Sequence, residues 1–247
     1  MTLGKMMKKL LSVAMVLVMA IGAVAFGGSD VNVNAASNPV RMHSTEITFC
    51  KYGFTNYNVY IEVDANSASN KEVYVHHSTM DGEWMDTEAT FYAMKDSNTE
   101  IYKASVAGMG ATEFVLKYVA DGVRVYWDNN NGNNYRAADM VGTAAVKALP
   151  RQSLYLDIYA FNVAVKNIAY HKVVKVRYTE DNWATYKEAE LKYYHSVVGT
   201  DSEIWRANIE IKDIENLQYC ISYTVNGRTY WDNNFGFNYD RSFYRAY

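Results

Sequence analysis

Alternation of apolar and polar residues with a period of two dominates this chain from about residue 46 onward. Side chains in a strand point to opposite faces in turn, so that period reads as half-buried β-structure. In 173–179, Val174, Val176 and Tyr178 take the inner face while Lys175, Arg177 and Thr179 point out. Trp205, Ala207, Ile209 and Ile211 share a buried face in the next strand but one, and Leu217, Tyr219, Ile221, Tyr223 and Val225 do likewise. The pattern predicts strands at 47–51, 59–63, 73–77, 89–92, 101–106, 114–119 and 123–127. A second set follows at 155–165, 173–179, 189–193, 204–211, 217–225 and 228–231. Asp121-Gly122 and Asn226-Gly227 are hairpin signals. Segment 37–45 reads as a loose polar lead-in. Segment 137–153 lacks alternation, and the linker is placed at 139–153. Short strands with turns at regular spacing predict an all-β chain of two β-sandwiches in tandem, at 40–138 and 154–247.

A repeat supports the division. Tyr126-Trp127-Asp128-Asn129-Asn130-Asn131-Gly132-Asn133-Asn134-Tyr135 is echoed, a domain's length later, by Tyr230-Trp231-Asp232-Asn233-Asn234-Phe235-Gly236-Phe237-Asn238-Tyr239. The shared letters are Y-W-D-N-N-x-G-x-N-Y. Such a step is far too long for a solenoid, so two copies of one module are expected, with function where they agree.

Composition narrows the class. The 247 residues carry a net charge of −3, which gives no basic surface for nucleic acid. There are 22 Tyr, 5 Trp and only 2 Pro; tyrosine suits half-wet sheets and ligand-facing surfaces. Residues 1–36 read as a signal peptide: Lys5, Lys8 and Lys9, then an apolar run over 10–26, then small residues at Ala35-Ala36. A secreted protein free of the membrane after cleavage is expected, a retained anchor being the alternative. Cys50 and Cys220, one per copy, read as two unpaired strand residues, with a bridge between them as the other option.

Trp183 and Trp84 sit on matching polar stretches past strand ends, where an indole marks a contact surface or folds back as a lid. Trp231 and Trp127 precede the Asn-rich loops. Amides offer a donor and an acceptor to adjacent sugar hydroxyls, and a flat indole offers contact to the C–H face of a pyranose. Asn233 and Asn238 equally suit turn chemistry, because Asn tolerates left-handed backbone. Asp232 reads as a tie for the loop. Together the two rings and flanking amides predict an open cradle for consecutive glucose units.

The stretch 163–183, with V-K-N-x-x-Y-x-K and Trp183, and the stretch 220–239, with W-D-N-N-x-x-x-N-Y, resemble the family 21 carbohydrate-binding module. The resemblance spans 155–240. It implies an immunoglobulin-like β-sandwich that binds α-1,4-glucan without cleaving it; no cofactor is expected. By position it implies Trp183 and Trp231 as stacking platforms, Lys172, Asn233 and Asn238 as hydrogen-bonding residues, and Tyr170 in a second site on the other side. A family aromatic falls at Cys220. The first copy keeps Trp84, Trp127, Asn129 and Asn134 but lacks V-K-N-x-x-Y-x-K, with Lys71 an approximate match for the lysine. It resembles starch-binding modules more widely.

Competing classes are weighed by their chemistry. A glycoside hydrolase needs two carboxylates facing one bond, and the repeat supplies one Asp per copy. No Cys/His/carboxylate spacing suggests zinc. A protein-interaction module is the second class: Arg124-Val125-Tyr126-Trp127 fits a short docking pattern of the family's glycogen-targeting members, or is ordinary strand. An accessory module in a glycan-degrading complex, with another polysaccharide as ligand, is a further alternative. The partners implied are α-glucan and a cell-surface or amylolytic protein. Two sites on one polymer multiply affinity by ~10²–10⁴ when the linker lets both engage.

Overall fold

The computed structural model describes residues 38–52, 54–109, 113–150 and 158–243. The expected signal peptide, the end of the expected linker and the start of the strand predicted from 155 lie outside the described residues. Among the described residues the chain is all-β.

The first half runs β1 (Val40–Lys51), β2 (Phe54–Asp64), β3 (Lys71–Ser78), β4 (Trp84–Asp96), β5 (Thr99–Met109), β6 (Glu113–Ala120), β7 (Arg124–Asp128) and β8 (Tyr135–Arg136). These strands bond in the order β1-β2-β5-β4-β3-β6-β7, with β8 on β6. Strand β4 serves two neighbours in turn. Its residues 84–89 pair with β3 and its residues 90–96 pair with β5.

The second half runs β9 (Val146–Leu149), β10 (Ile158–Lys166), β11 (Lys172–Thr179), β12 (Lys187–Glu190), β13 (Lys192–Ser196), β14 (Ser202–Glu210), β15 (Gln218–Val225), β16 (Arg228–Asp232) and β17 (Tyr239–Asp240). One sheet is β13-β14-β10-β9 and the other β12-β11-β15-β16, with β17 on β15. Only Leu191, fully buried, separates β12 from β13. Joined through it, the second order matches the first strand for strand. Registers match too: β3 and β11 occupy equivalent places, and so do Trp127 opposite Lys117 and Trp231 opposite Ser222.

Alternation set the faces as the sequence implied. Val174, Val176 and Tyr178 meet Phe161, Val163, Tyr219 and Ile221 in one core between the two sheets. A second core gathers Tyr57, Val59, Ile61, Val73, Val75, Leu116 and Tyr118. Burying each of these large apolar side chains contributes about 1.5–3 kcal/mol. Thr179 departs from its expected outward place. It is buried, because its Oγ1 meets Asp181 Oδ1 at 2.7 Å and the amide of Trp183 at 3.0 Å.

The stretch read as a linker is built into the fold instead. Val141 bridges Ser44, the amide of Thr143 donates to Met42 O at 2.9 Å, and β9 is the edge strand beside β10. Four residues are too few to display a period, and β9 is covered on both sides. Val146 and Ala148 join the core of the second half, with Val174, Val176 and Tyr178. Lys147 turns the other way, with Nζ 3.2 Å from Glu46 Oε2 and donating to Tyr239 Oη at 2.9 Å. The two halves therefore pack directly against one another within one compact unit.

Candidate functional site

Both Asn-rich loops fold by the same local chemistry. Asp232 Oδ2 accepts from the amide of Ala148 at 2.6 Å, and its carboxylate accepts from Tyr239 Oη at 2.9 Å. Asp128 does the same with the amide of Met42 at 3.1 Å and Tyr135 Oη at 2.8 Å. Each aspartate thus pins its loop to the edge strand. Asn233 Oδ1 accepts from the amide of Gly236 at 3.1 Å, closing a single 3-10 turn, and Asn129 Oδ1 accepts from Gly132 at 3.1 Å. Asn234, Phe235 and Asn238 have φ of 52, 55 and 60°. Asn adopts that region readily, whereas a bulky residue there is strained. Phe235 is held there by its ring, which lies 5.0 Å from His43 and 5.8 Å from Tyr60 between centroids.

The second loop closes one side of a shallow cavity of about 350 Å³. Trp183, Trp231, Asn233 and Asn238 all line it, with Arg177, Tyr186 and Cys220. Trp231 is 48% exposed on the outer face of the β12-β11-β15-β16 sheet. Trp183 sits at φ 67°, and its Nε1 donates to Gln218 Oε1 at 2.8 Å, which fixes the indole plane. Its loop is tied by Asp181, which accepts from Thr185 Oγ1 at 2.6 Å. Hydrogen bonds from Thr185 and Thr179 push the Asp181 carboxyl down to about 2. No described residue accepts from Asn233 Nδ2, and the residue lines the cavity.

Arg177 organises the floor. Its guanidinium lies 4.6 Å from the Tyr186 ring centroid and 4.8 Å from that of Trp231. Glu188 Oε1 receives two of its bonds, at 2.9 and 2.7 Å, and this raises its pKa further. Burial pushes the Cys220 thiol up to about 11, so it is a small neutral wall residue. Both cysteines are free, Cys50 exposed and Cys220 buried. Arg177 and Tyr186 were not singled out from sequence for binding. The signal was present for Arg177: alternation had already placed it on the outer face.

Lys172 does not join this cavity. It begins β11, at the end away from Trp183, and its side chain is 4% exposed. Its Nζ bonds Glu203 Oε1 at 2.9 Å across the two sheets. Lys71, paired with Ala120 as Lys172 is with Val225, bonds Glu100 at 3.3 Å in the same way. The lysine of V-K-N-x-x-Y-x-K is thus an inter-sheet clamp here, because a buried ammonium needs a counter-charge. Tyr170 is 90% exposed in the loop before β11, at that same far end.

In the first half, His76 takes the place of Arg177. Trp84 stacks on it at 5.1 Å and Trp127 meets it edge-on at 5.4 Å. Asp86 holds His76 Nδ1 at 2.6 Å, as Glu188 holds Arg177. The two indoles are therefore brought together around one side chain. Asn129 is committed to its turn through Oδ1, and Asn134 Nδ2 donates to Glu113 Oε2 at 3.0 Å. Arg124 is bound to Asp121 at 3.1 Å, while Val125 is half-exposed on edge strand β7.

Known proteins resemble part of this chain. Protein phosphatase 1 regulatory subunit 3C of Rattus norvegicus is 40% identical over 82 residues, 31% of this chain and 26% of that protein. Regulatory subunit 3B of Homo sapiens is 35% identical over 85 residues, 32% of this chain and 30% of that protein. The chain thus spans about a quarter to a third of the length of the curated relatives it matches. Among solved structures, the carbohydrate binding module of the muscle glycogen-targeting subunit of Protein Phosphatase-1 is 22% identical. It covers 49% of this chain and 96% of that one at a TM-score of 0.33, a likeness too slight to bear on the fold. Residues 158–242 match the carbohydrate/starch-binding module (family 21), and that stretch carries Trp183, Trp231, Asn233 and Asn238.

Proposed function

We propose that this is a secreted, non-catalytic protein that binds α-1,4-glucan, whether starch, malto-oligosaccharides or glycogen-like polymer, through the cavity between Trp183 and Trp231. The observation that carries the reading is that two indoles and two amides, distant in sequence, line one open cavity over a fixed guanidinium. Flat rings take the C–H face of a pyranose, and Asn233, Asn238 and Arg177 supply donors to its hydroxyls. The family 21 match over 158–242 supports the ligand class. The first half is a divergent copy of the same immunoglobulin-like module, as its matching strand order and loop bonds suggest. Trp84 and Trp127 form its counterpart platform. The two platforms keep a set spacing through the packed halves rather than through a free linker. Tyr170 belongs to a second site at the far end of β11.

Affinity electrophoresis through gels containing starch, glycogen or an unrelated polysaccharide tests the reading. Retardation by α-glucans alone is expected. Trp231→Ala should weaken binding by about 2 kcal/mol or more, roughly 30-fold, as loss of a central aromatic contact does. Undiminished retardation of both Trp183→Ala and Trp231→Ala would remove the proposal.

A second reading is protein docking. The relatives are regulatory subunits of a phosphatase, and Val125 is half-exposed on an edge strand. Capture of purified phosphatase catalytic subunit by the full chain, lost with Val125→Ala, would favour it.

A further inference from the structure

A larger cavity, about 540 Å³, adjoins the Trp183 cavity at Trp231. Trp231 and Asn233 line both it and the Trp183 cavity. Its remaining walls come from both halves of the chain. Lys95 and His43 belong to the first half, Thr143 to the connecting segment, and Arg228 and Tyr230 to β16. It has the same chemistry as its neighbour, an aromatic wall with polar donors at the rim. The Arg228 guanidinium lies 4.7 Å from the Tyr230 ring centroid, a pairing that repeats Arg177 over Trp231.

The first-half wall is held in place. Glu62, buried between the halves, accepts from His43 Nδ1 at 2.9 Å, Thr143 Oγ1 at 2.6 Å and Lys95 Nζ. Those three bonds fix the first-half residues and the connecting segment at one point. The rim of the cavity is therefore preorganised without a ligand, which lowers the ordering cost of binding.

We propose that the glucan path does not end at Trp231 but crosses its edge into this second cavity, so that the complete groove exists only where both halves are present. The proposal rests on the α-glucan reading of the Trp183 cavity. It assigns Lys95 and Arg228 as donors to the hydroxyls of glucose units beyond the first platform. Short chains fill the Trp183 side; longer ones reach the junction.

Calorimetric titration of the full chain with a ladder of linear malto-oligosaccharides of increasing length tests this. In the wild type, affinity should keep rising with length after the Trp183 side is filled. Arg228→Gln and Lys95→Gln should each leave short-chain affinity unchanged and weaken the longest chains by about 5- to 10-fold, the worth of a hydrogen bond. Arg228→Gln is the safer variant, because Lys95 also answers buried Glu62. If both variants keep the wild-type rise while Trp183→Ala loses chains of every length, the extension is wrong and the first cavity stands. If Trp183→Ala binds every length as the wild type does, the underlying reading falls and takes this one with it.

Discussion

Arg177 shows how much one outward strand residue can decide. Its guanidinium bridges the Tyr186 and Trp231 rings and is anchored by Glu188. Its contacts are partly exposed, so its removal should cost only about 1–2 kcal/mol of stability. Its cation–aromatic contacts and donors are lost to a ligand, so Arg177→Ala should weaken glucan binding by about tenfold. Calorimetry beside a thermal melt separates the two effects. Lys172 is the opposite case. Its ammonium is sealed against Glu203, so Lys172→Ala strands a buried carboxylate and should destabilise by about 3–5 kcal/mol in urea unfolding. The paired change Lys172→Met with Glu203→Leu should recover most of that loss and still bind glucan. A sugar-contacting lysine would give the reverse result.

At the scale of elements, the Asn-rich loop puts turn chemistry at the edge of the Trp183 cavity. Gly236 sits at φ 100° with open space where a Cβ would go, so only the backbone resists a side chain. Gly236→Ala should cost about 1 kcal/mol or more through strain and shift Asn233, whose Oδ1 caps that glycine. The check is a melt together with starch-gel retardation. The loop is also propped from outside: Tyr92 Oη donates to Asn234 Oδ1 at 2.9 Å, and Phe235 packs on Tyr60 and Tyr92. Loop repeats were visible as letters because Asp, Asn and Gly act on their own neighbours. Arg177 meeting Trp231 was not, since cross-strand proximity depends on register.

For the whole molecule, edge strand β9 and the buried charges at the junction bind the halves together. A chain cut to 154–247 lacks Val146 and Ala148 of its core and the amide that Asp232 accepts from. It should fail to melt cooperatively, whereas a chain begun at 138 keeps the edge strand and should melt cooperatively. Acid should loosen the junction. Burial opposes ionisation of Glu62, but bonds from His43, Lys95 and Thr143 outweigh it and hold the carboxyl well below its usual range. Burial likewise opposes ionisation of Glu46, and Lys147, Asn58 and Tyr60 overcome it. Both are depressed, so their stabilisation is full above the ordinary carboxylate range and is lost as pH falls through the folded values. His43, lowered chiefly by burial, adds a loss that begins below its ordinary pKa near 6.5. Melting temperature should therefore hold near neutrality and fall on acidification, with a shallower acid slope in Glu62→Gln.

What the sequence determined by itself was local and periodic. Alternation assigned the core faces of β11 and β15, and Y-W-D-N-N-x-G-x-N-Y dictated a loop closed by its own aspartate and asparagine, because those forces act within a few residues. Tertiary structure alone decided what lies between distant segments. It turned the expected linker into an edge strand, buried Lys172 against Glu203, and set Lys95 and His43 in one cavity with Trp231. Charge pairing and cavity walls depend on which surfaces packing brings within a few ångströms, and no pattern along the chain records that.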